Sequence, residues 1–202
     1  MPSRQRAAVS HFSRAATLAV AALVAGCGHD NVSSPPPTAA PAVGVELKVA
    51  QPSYPVGTAP QINMVLRNNG SGACSLPSVA EGAVEVVSVT RDGTAVVGRP
   101  GRESLFNGMA AVVARGLRSV APGDSVSVPL DVGVSRDGSA VVRTSQQTAA
   151  DSGRITSWLL DQPGKYRITA RLVAVTGVHR TDLPQQCAFS GNAASAEFQV
   201  TK

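Results

Sequence analysis

The stretch Leu160-Asp-Gln-Pro-Gly-Lys-Tyr-Arg-Ile-Thr-Ala-Arg-Leu172 decides the fold. Asp161-Gln-Pro-Gly164 has turn chemistry, because Pro restricts φ and Gly tolerates conformations closed to other residues. Beyond it, Tyr166, Ile168, Ala170 and Leu172 alternate with Lys165, Arg167, Thr169 and Arg171. A period of two buries the first set on one face of a strand and leaves the second in water. The same grammar recurs in both directions. Val43, Val45, Leu47 and Val49 alternate with polar or small residues, and Ile62, Met64 and Leu66 line a second strand. Val84, Val86 and Val89 mark a third, Val126, Val128, Leu130 and Val132 another, and Ala196, Phe198 and Val200 the last. Between them, Pro52–Gly57 and Asn68-Asn-Gly70 read as turns, Arg91-Asp-Gly93 as a tight hairpin turn, and Pro122-Gly-Asp124 as a further turn. Pro129 cannot donate a ladder hydrogen bond and marks an edge strand or a bulge. No sustained 3.6-residue apolar period appears outside residues 15–25. The expectation is an all-β antiparallel sandwich of seven or eight strands over residues 42–202.

Upstream the grammar changes. Residues 1–14 carry Arg4, Arg6 and Arg14 and no acid, and an apolar run Ala15–Ala25 follows. That order describes a secretory signal, and the run is too short for a membrane helix, which takes roughly 20 residues. Val24-Ala-Gly-Cys27 resembles the bacterial lipobox. The resemblance implies that residues 1–26 are removed and that Cys27 is lipidated, a thiolate being the strong nucleophile among side chains. The alternative is an ordinary secretory signal with a chance Cys. Gly28 stands where an Asp often retains lipoproteins in the inner membrane, so in a two-membrane organism the outer one is favoured. Residues 27–41, with Pro35, Pro36, Pro37 and Pro41, read as a semi-extended tether.

The signal also accounts for the charge. The chain has 202 residues, 18 Lys+Arg against 13 Asp+Glu, and a formal charge of +5. Removing Arg4, Arg6 and Arg14 leaves 15 against 13, which dissolves most of the case for an acidic partner. Cys74 and Cys187 remain once Cys27 is assigned to lipid. In an oxidising compartment an even remainder reads as one bridge between two loops, the alternative being two separate buried thiols.

Chemistry is sparse. Gly123-Asp-Ser125 sits in a turn feeding a strand, and after the signal only His29 and His179 remain to serve as a base. No cofactor, no metal set and no phosphate-cradling loop is expected, nor any catalytic residue. Few aromatics and arginines alternating along strands argue against nucleic-acid binding. Arg167 and Arg171 share one parity and read as a solvated outer face rather than a basic stripe.

Asp161-Gln-Pro-Gly-Lys-Tyr166 resembles the tyrosine corner of immunoglobulin-like domains, which implies that the Tyr166 hydroxyl bonds back to the chain a few residues upstream. Several phrases together resemble the intracellular proteinase inhibitor (BsuPI-type) family of bacterial immunoglobulin-like domains. They are Ser53-Tyr-Pro-Val-Gly57, Asn68-Asn69, Arg91-Asp-Gly93, Leu117 ahead of Pro122-Gly-Asp-Ser125, and Leu160–Tyr166, spanning roughly residues 45–175. The resemblance implies an immunoglobulin-like fold and protein binding, and no inhibitory residue carries over. The chain departs from it in being exported, in Cys74 and Cys187, and in its final strand. Two long stretches remain, Arg99–Arg118 and Ser135–Ser157. In the first, Arg99, Arg102, Arg115 and Arg118 surround Leu105, Phe106 and Met109, which reads either as a binding surface or as an edge strand with a decorated loop. The functional expectation is a non-enzymatic envelope lipoprotein, anchored to the membrane through Cys27, whose module binds a protein or cell-wall partner. The alternative is an inhibitor of an envelope proteinase.

Overall fold

The computed structural model describes residues 42–105, 108–149, 152–189 and 191–202, all within one compact unit, Ala39–Lys202. The first sheet has the order β1-β3-β10, formed by β1 (Val43–Val49), β3 (Ile62–Asn68) and β10 (Ser125–Pro129). The second runs β2-β15-β14-β5-β6, from β2 (Ser53–Pro55), β5 (Val84–Arg91), β6 (Thr94–Ala95), β14 (Gly164–Leu172) and β15 (Ala193–Thr201). Leu47, Met64, Leu66 and Val128 from the first sheet share one core with Val86, Val89, Ile168 and Phe198 from the second. The protein is an all-β sandwich. The longer strands of these two sheets alternate as their apolar period requires, with one instructive break in β5. Val84, Val86 and Val89 point inward because a bulge shifts the β5–β14 register between Val86 and Ser88, and Val87 is thereby 47% exposed.

Three turns anchor the frame. The Tyr166 hydroxyl donates to the Gln162 carbonyl at 3.0 Å, as the corner resemblance implies. Asp92 and Gly93 both take positive φ, 50° and 80°, forming the two-residue hairpin turn between β5 and β6. Gly164 lies at φ 151°, and a Cβ there would come within 2.6 Å of Asp92 Oδ2. The absence of that atom lets Asp92 Oδ1 accept the Lys165 N–H at 2.8 Å.

The described residues form fifteen strands instead of seven or eight. The surplus is mostly short pieces that lack enough alternation to show. β2 lies inside the expected Pro52–Gly57 turn and pairs in parallel with β15, burying Tyr54 against Phe198 at 5.9 Å, edge to face. β4 (Cys74–Pro77) pairs with β9 (Leu117–Val120), so Cys74 begins a strand rather than lying in a loop. The stretch Ser135–Ser157 is a long hairpin, β12 (Ala140–Ala149) and β13 (Ser152–Leu159). It is flanked by β11 (Asp131–Val134) on one side and by β7 (Arg99–Pro100) and β8 (Ser104–Leu105) on the other. Ser, Thr and Gln dominate it because its strands are only partly covered. The stretch Arg99–Arg118 also contains a helix that the periodicity did not suggest, α1 (Met109–Gly116), which buries Met109, Val113 and Gly116. Its roughly two turns, with three buried residues, are too short to stand out as a period.

Candidate functional site

Cys74 and Cys187 are joined by a disulfide across 113 residues, with a Cα separation of 5.0 Å. The bridge ties β4 to the long connection between β14 and β15. Ser75 reinforces it, its N–H donating to the Gln185 carbonyl at 2.9 Å and its hydroxyl to the Pro184 carbonyl at 2.6 Å. Cys27 and Phe106 lie outside the described residues.

The four arginines of Arg99–Arg118 do not form one site. Arg99 pairs in register with Ser157 on β13, and Arg102 follows on the exposed stretch before β8. Arg115 and Arg118 sit instead where α1 runs into β9. The Arg118 guanidinium donates to the carbonyls of Arg115 at 3.0 Å and Leu117 at 2.9 Å, closing the helix end. Arg180 does the same from the β14–β15 connection, donating to the Ala114 carbonyl at 2.9 Å. His179 beside it is exposed.

On the outer face of β14, Lys165 and Arg167 both bind Glu197, at 2.5 Å from Lys165 Nζ and 2.7 Å from Arg167 Nε. Arg171 binds Glu85 at 2.6 Å. The row of cations is thus partnered rather than presented as a bare stripe. Lys165 first, then Arg167, holds the Glu197 carboxyl below its ordinary range. Hydrogen bonding by Arg180 draws Asp182 down to about 2. From the hairpin, the hydroxyls of Thr148 and Ser152, with Arg154 behind them, lower Glu103, which lies between β7 and β8. All three carboxylates are surface groups, and their partners account for their acidity. Among the described residues no group of three or more His, Cys, Asp or Glu converges as a metal set, and no helix is long and apolar enough to cross a membrane.

A cleft of about 470 Å³ lies between β5, the β12–β13 hairpin and the passage from β10 into β11. Val84 and Val86 of β5 and Leu130 form its apolar floor, and Ile155 of β13 lines it at 38% exposure. Ser78–Glu81 makes one wall and Pro129–Asp131 the other. Arg143 and Asp131 pair at 3.4 Å on the rim, whereas Glu81 has no ion-pair partner among the described residues. The β12–β13 hairpin shapes this cleft through Thr144, which is 3% exposed. Its hydroxyl donates to the Val84 carbonyl at 3.0 Å and accepts the Val86 N–H at 3.2 Å. One side chain thereby satisfies two main-chain groups on the edge of β5 that β6 does not reach. No alternation or motif marks Thr144, Glu81 or the cleft in the sequence, because the contact joins elements about 60 residues apart. A volume of this size lined mainly by apolar groups suits a small ligand or a few side chains of a partner.

No protein-family model, curated protein or solved structure matches this chain.

Proposed function

We propose that the chain is an exported lipoprotein, held to the cell envelope through Cys27, whose sandwich is a non-enzymatic immunoglobulin-like module binding a protein or wall-polymer partner. The disulfide carries this reading. Such bridges persist in oxidising compartments, and Cys74–Cys187 uses both cysteines that the lipobox leaves over. Strand order supports the immunoglobulin-like assignment: β1-β3-β10 lies opposite β2-β15-β14-β5, and β14 starts at a tyrosine corner. The cleft supplies a place for a partner to seat.

Metabolic labelling with a palmitate analogue tests the anchor. The wild-type chain takes up label and Cys27→Ser does not; equal labelling of both refutes lipidation at Cys27. Capture from envelope extracts, with Cys27→Ser as bait, tests the module. A component retained by the wild-type cleft and lost with Ala80→Trp, which fills the cleft beside Glu81, supports the reading. Retention of nothing, or of the same components by both baits, overturns it.

A further inference from the structure

β10 is the outer strand of its sheet, and its free edge joins two concave features. The hydrogen-bond parity is set at both ends of the strand. The Asn68 N–H donates to the Asp124 carbonyl at 2.9 Å and the Leu130 N–H to the Ile62 carbonyl at 2.9 Å. With Val126 opposite Leu66 and Val128 opposite Met64, the even-numbered residues turn their main-chain groups toward β3. Ser125, Ser127 and Pro129 therefore point theirs the other way. That edge presents two N–H donors and three carbonyl acceptors over five residues, roughly 17 Å of strand. Among the described residues, no strand pairs with it. Pro129 sits at the parity where its missing N–H costs the sheet nothing, which is how a native edge tolerates proline.

Hollows flank both ends of this edge. At its start, a groove of about 430 Å³ opens between β9 and β10, lined by Arg118, Ser119, Asp124 and Ser125 among others. At its finish, Pro129 and Leu130 lead into the apolar cleft of about 470 Å³. The two differ in charge. The groove holds one charge of each sign, Arg118 and Asp124. The cleft holds the Arg143–Asp131 pair and, unpartnered among the described residues, the Glu81 carboxylate, an excess of one negative charge.

We infer that the edge of β10 accepts an extended segment of a partner protein by strand addition. The segment's main chain pairs with Ser125, Ser127 and Pro129, and its end at the cleft places an apolar side chain over Val86 and Leu130 and a Lys or Arg beside Glu81. Main-chain pairing supplies the binding and the cleft supplies the choice of sequence. This rests on the module's being a protein binder, and it is independent of the anchor at Cys27.

The probe is the fluorescein-labelled peptide Thr-Val-Thr-Val-Thr-Leu-Lys, titrated by anisotropy against the full-length protein in detergent micelles. Saturable binding is expected, with the Ser125 and Ser127 amides protected from hydrogen exchange about tenfold or more. Methylating alternate peptide nitrogens reads the pairing without altering the protein. One parity is expected to lose affinity by about tenfold or more, since it removes the donors that face β10, and the other parity to lose little. Glu81→Gln is expected to weaken the Lys peptide about threefold and leave its norleucine counterpart unchanged, the scale of an exposed ion pair. Absence of binding at millimolar peptide overturns the inference, as does equal tolerance of both methylation parities. Concentration-dependent protection of Ser125 and Ser127 without peptide overturns it too, because the edge is then occupied by a second copy of the chain. Failure here, alongside successful cleft-dependent capture from envelope extracts, removes the edge as the site and leaves the binding module standing.

Discussion

Replacing Thr144 by Val removes one hydroxyl and almost no volume, so it isolates the bridge between the hairpin and β5. In the wild-type protein that hydroxyl serves the Val84 carbonyl at 3.0 Å and the Val86 N–H at 3.2 Å. Both groups lie on an edge whose neighbouring strand, β6, begins only opposite Thr90 and Arg91. In the variant the Val86 N–H is left buried without an acceptor, which costs about 1–3 kcal/mol, and the carbonyl loses its donor as well. The methyl that replaces the hydroxyl returns part of this through apolar burial, so the net loss is about 2 kcal/mol. For a domain of this size that corresponds to a fall in Tm of about 4–8 °C. Urea unfolding at neutral pH measures it, with a lower midpoint at unchanged slope. Hydrogen exchange provides the local reading: the Val86 amide exchanges faster in Thr144→Val while Ile168, in the middle of β14, tracks global stability. A loss below about 0.5 kcal/mol, the range of ordinary surface changes, would refute the bridging role.

Three further expectations follow the same logic. Cys74→Ser with Cys187→Ser removes a bridge spanning 113 residues; chain entropy sets an upper value of about 5 kcal/mol for the loss, and a change below about 1 kcal/mol in urea unfolding contradicts a stabilising role. Asn68→Ala deletes three hydrogen bonds, to the Gly72 carbonyl, the Val120 carbonyl and from the Gly70 N–H, and is expected to cost about 3 kcal/mol by the same measurement, with full stability retained as the refuting outcome. Acid unfolding is expected to set in below about pH 4. Asp182, Glu103 and Glu197 all have folded pKa values below their ordinary ones, so their contribution is present above the unfolded pKa and disappears as pH falls through the folded value, near 2 for Asp182. Asp182→Asn flattens that part of the curve, and a pH profile identical to wild type counts against the assignment.

The sandwich was legible wherever a strand is covered on one face and wet on the other, because only then does burial write a period of two into the residues. Tyr166, Ile168, Ala170 and Leu172 are the clearest case. Tyr54 escaped because its strand is three residues long and bracketed by prolines, so the same residues read equally well as a turn. The β12–β13 hairpin escaped for another reason: Ser145, Gln146 and Gln147 are half-buried on both sides of the strand, which erases the contrast between faces. Asn68 was read as a strand breaker through its tolerance of turns. It does end β3, but as a fully buried hub whose amide holds the nearby Gly72 carbonyl and the distant Val120 carbonyl. The candidate site lies among such residues. Its floor comes mainly from β5, its walls from Ser78–Glu81 and Pro129–Asp131, and Thr144 and Ile155 from the β12–β13 hairpin, and no local pattern encodes an encounter of four separate segments.

The disulfide has a mechanical meaning as well. When the two chain ends are pulled apart, force travels through β1 and β15 and meets the covalent link between Cys74 and Cys187. The 113-residue span behind that link cannot be drawn out however far the sheets yield. At about 3.4 Å per residue, roughly 380 Å of contour stays hidden. The segments flanking the bridge still extend, β1 to β3 on one side and β15 on the other, while β10, the cleft and the hairpin all remain inside the closed loop. A module strained in this way lengthens by a short, fixed amount, and its candidate binding edge sits in the part that carries no load once the bridge is taut.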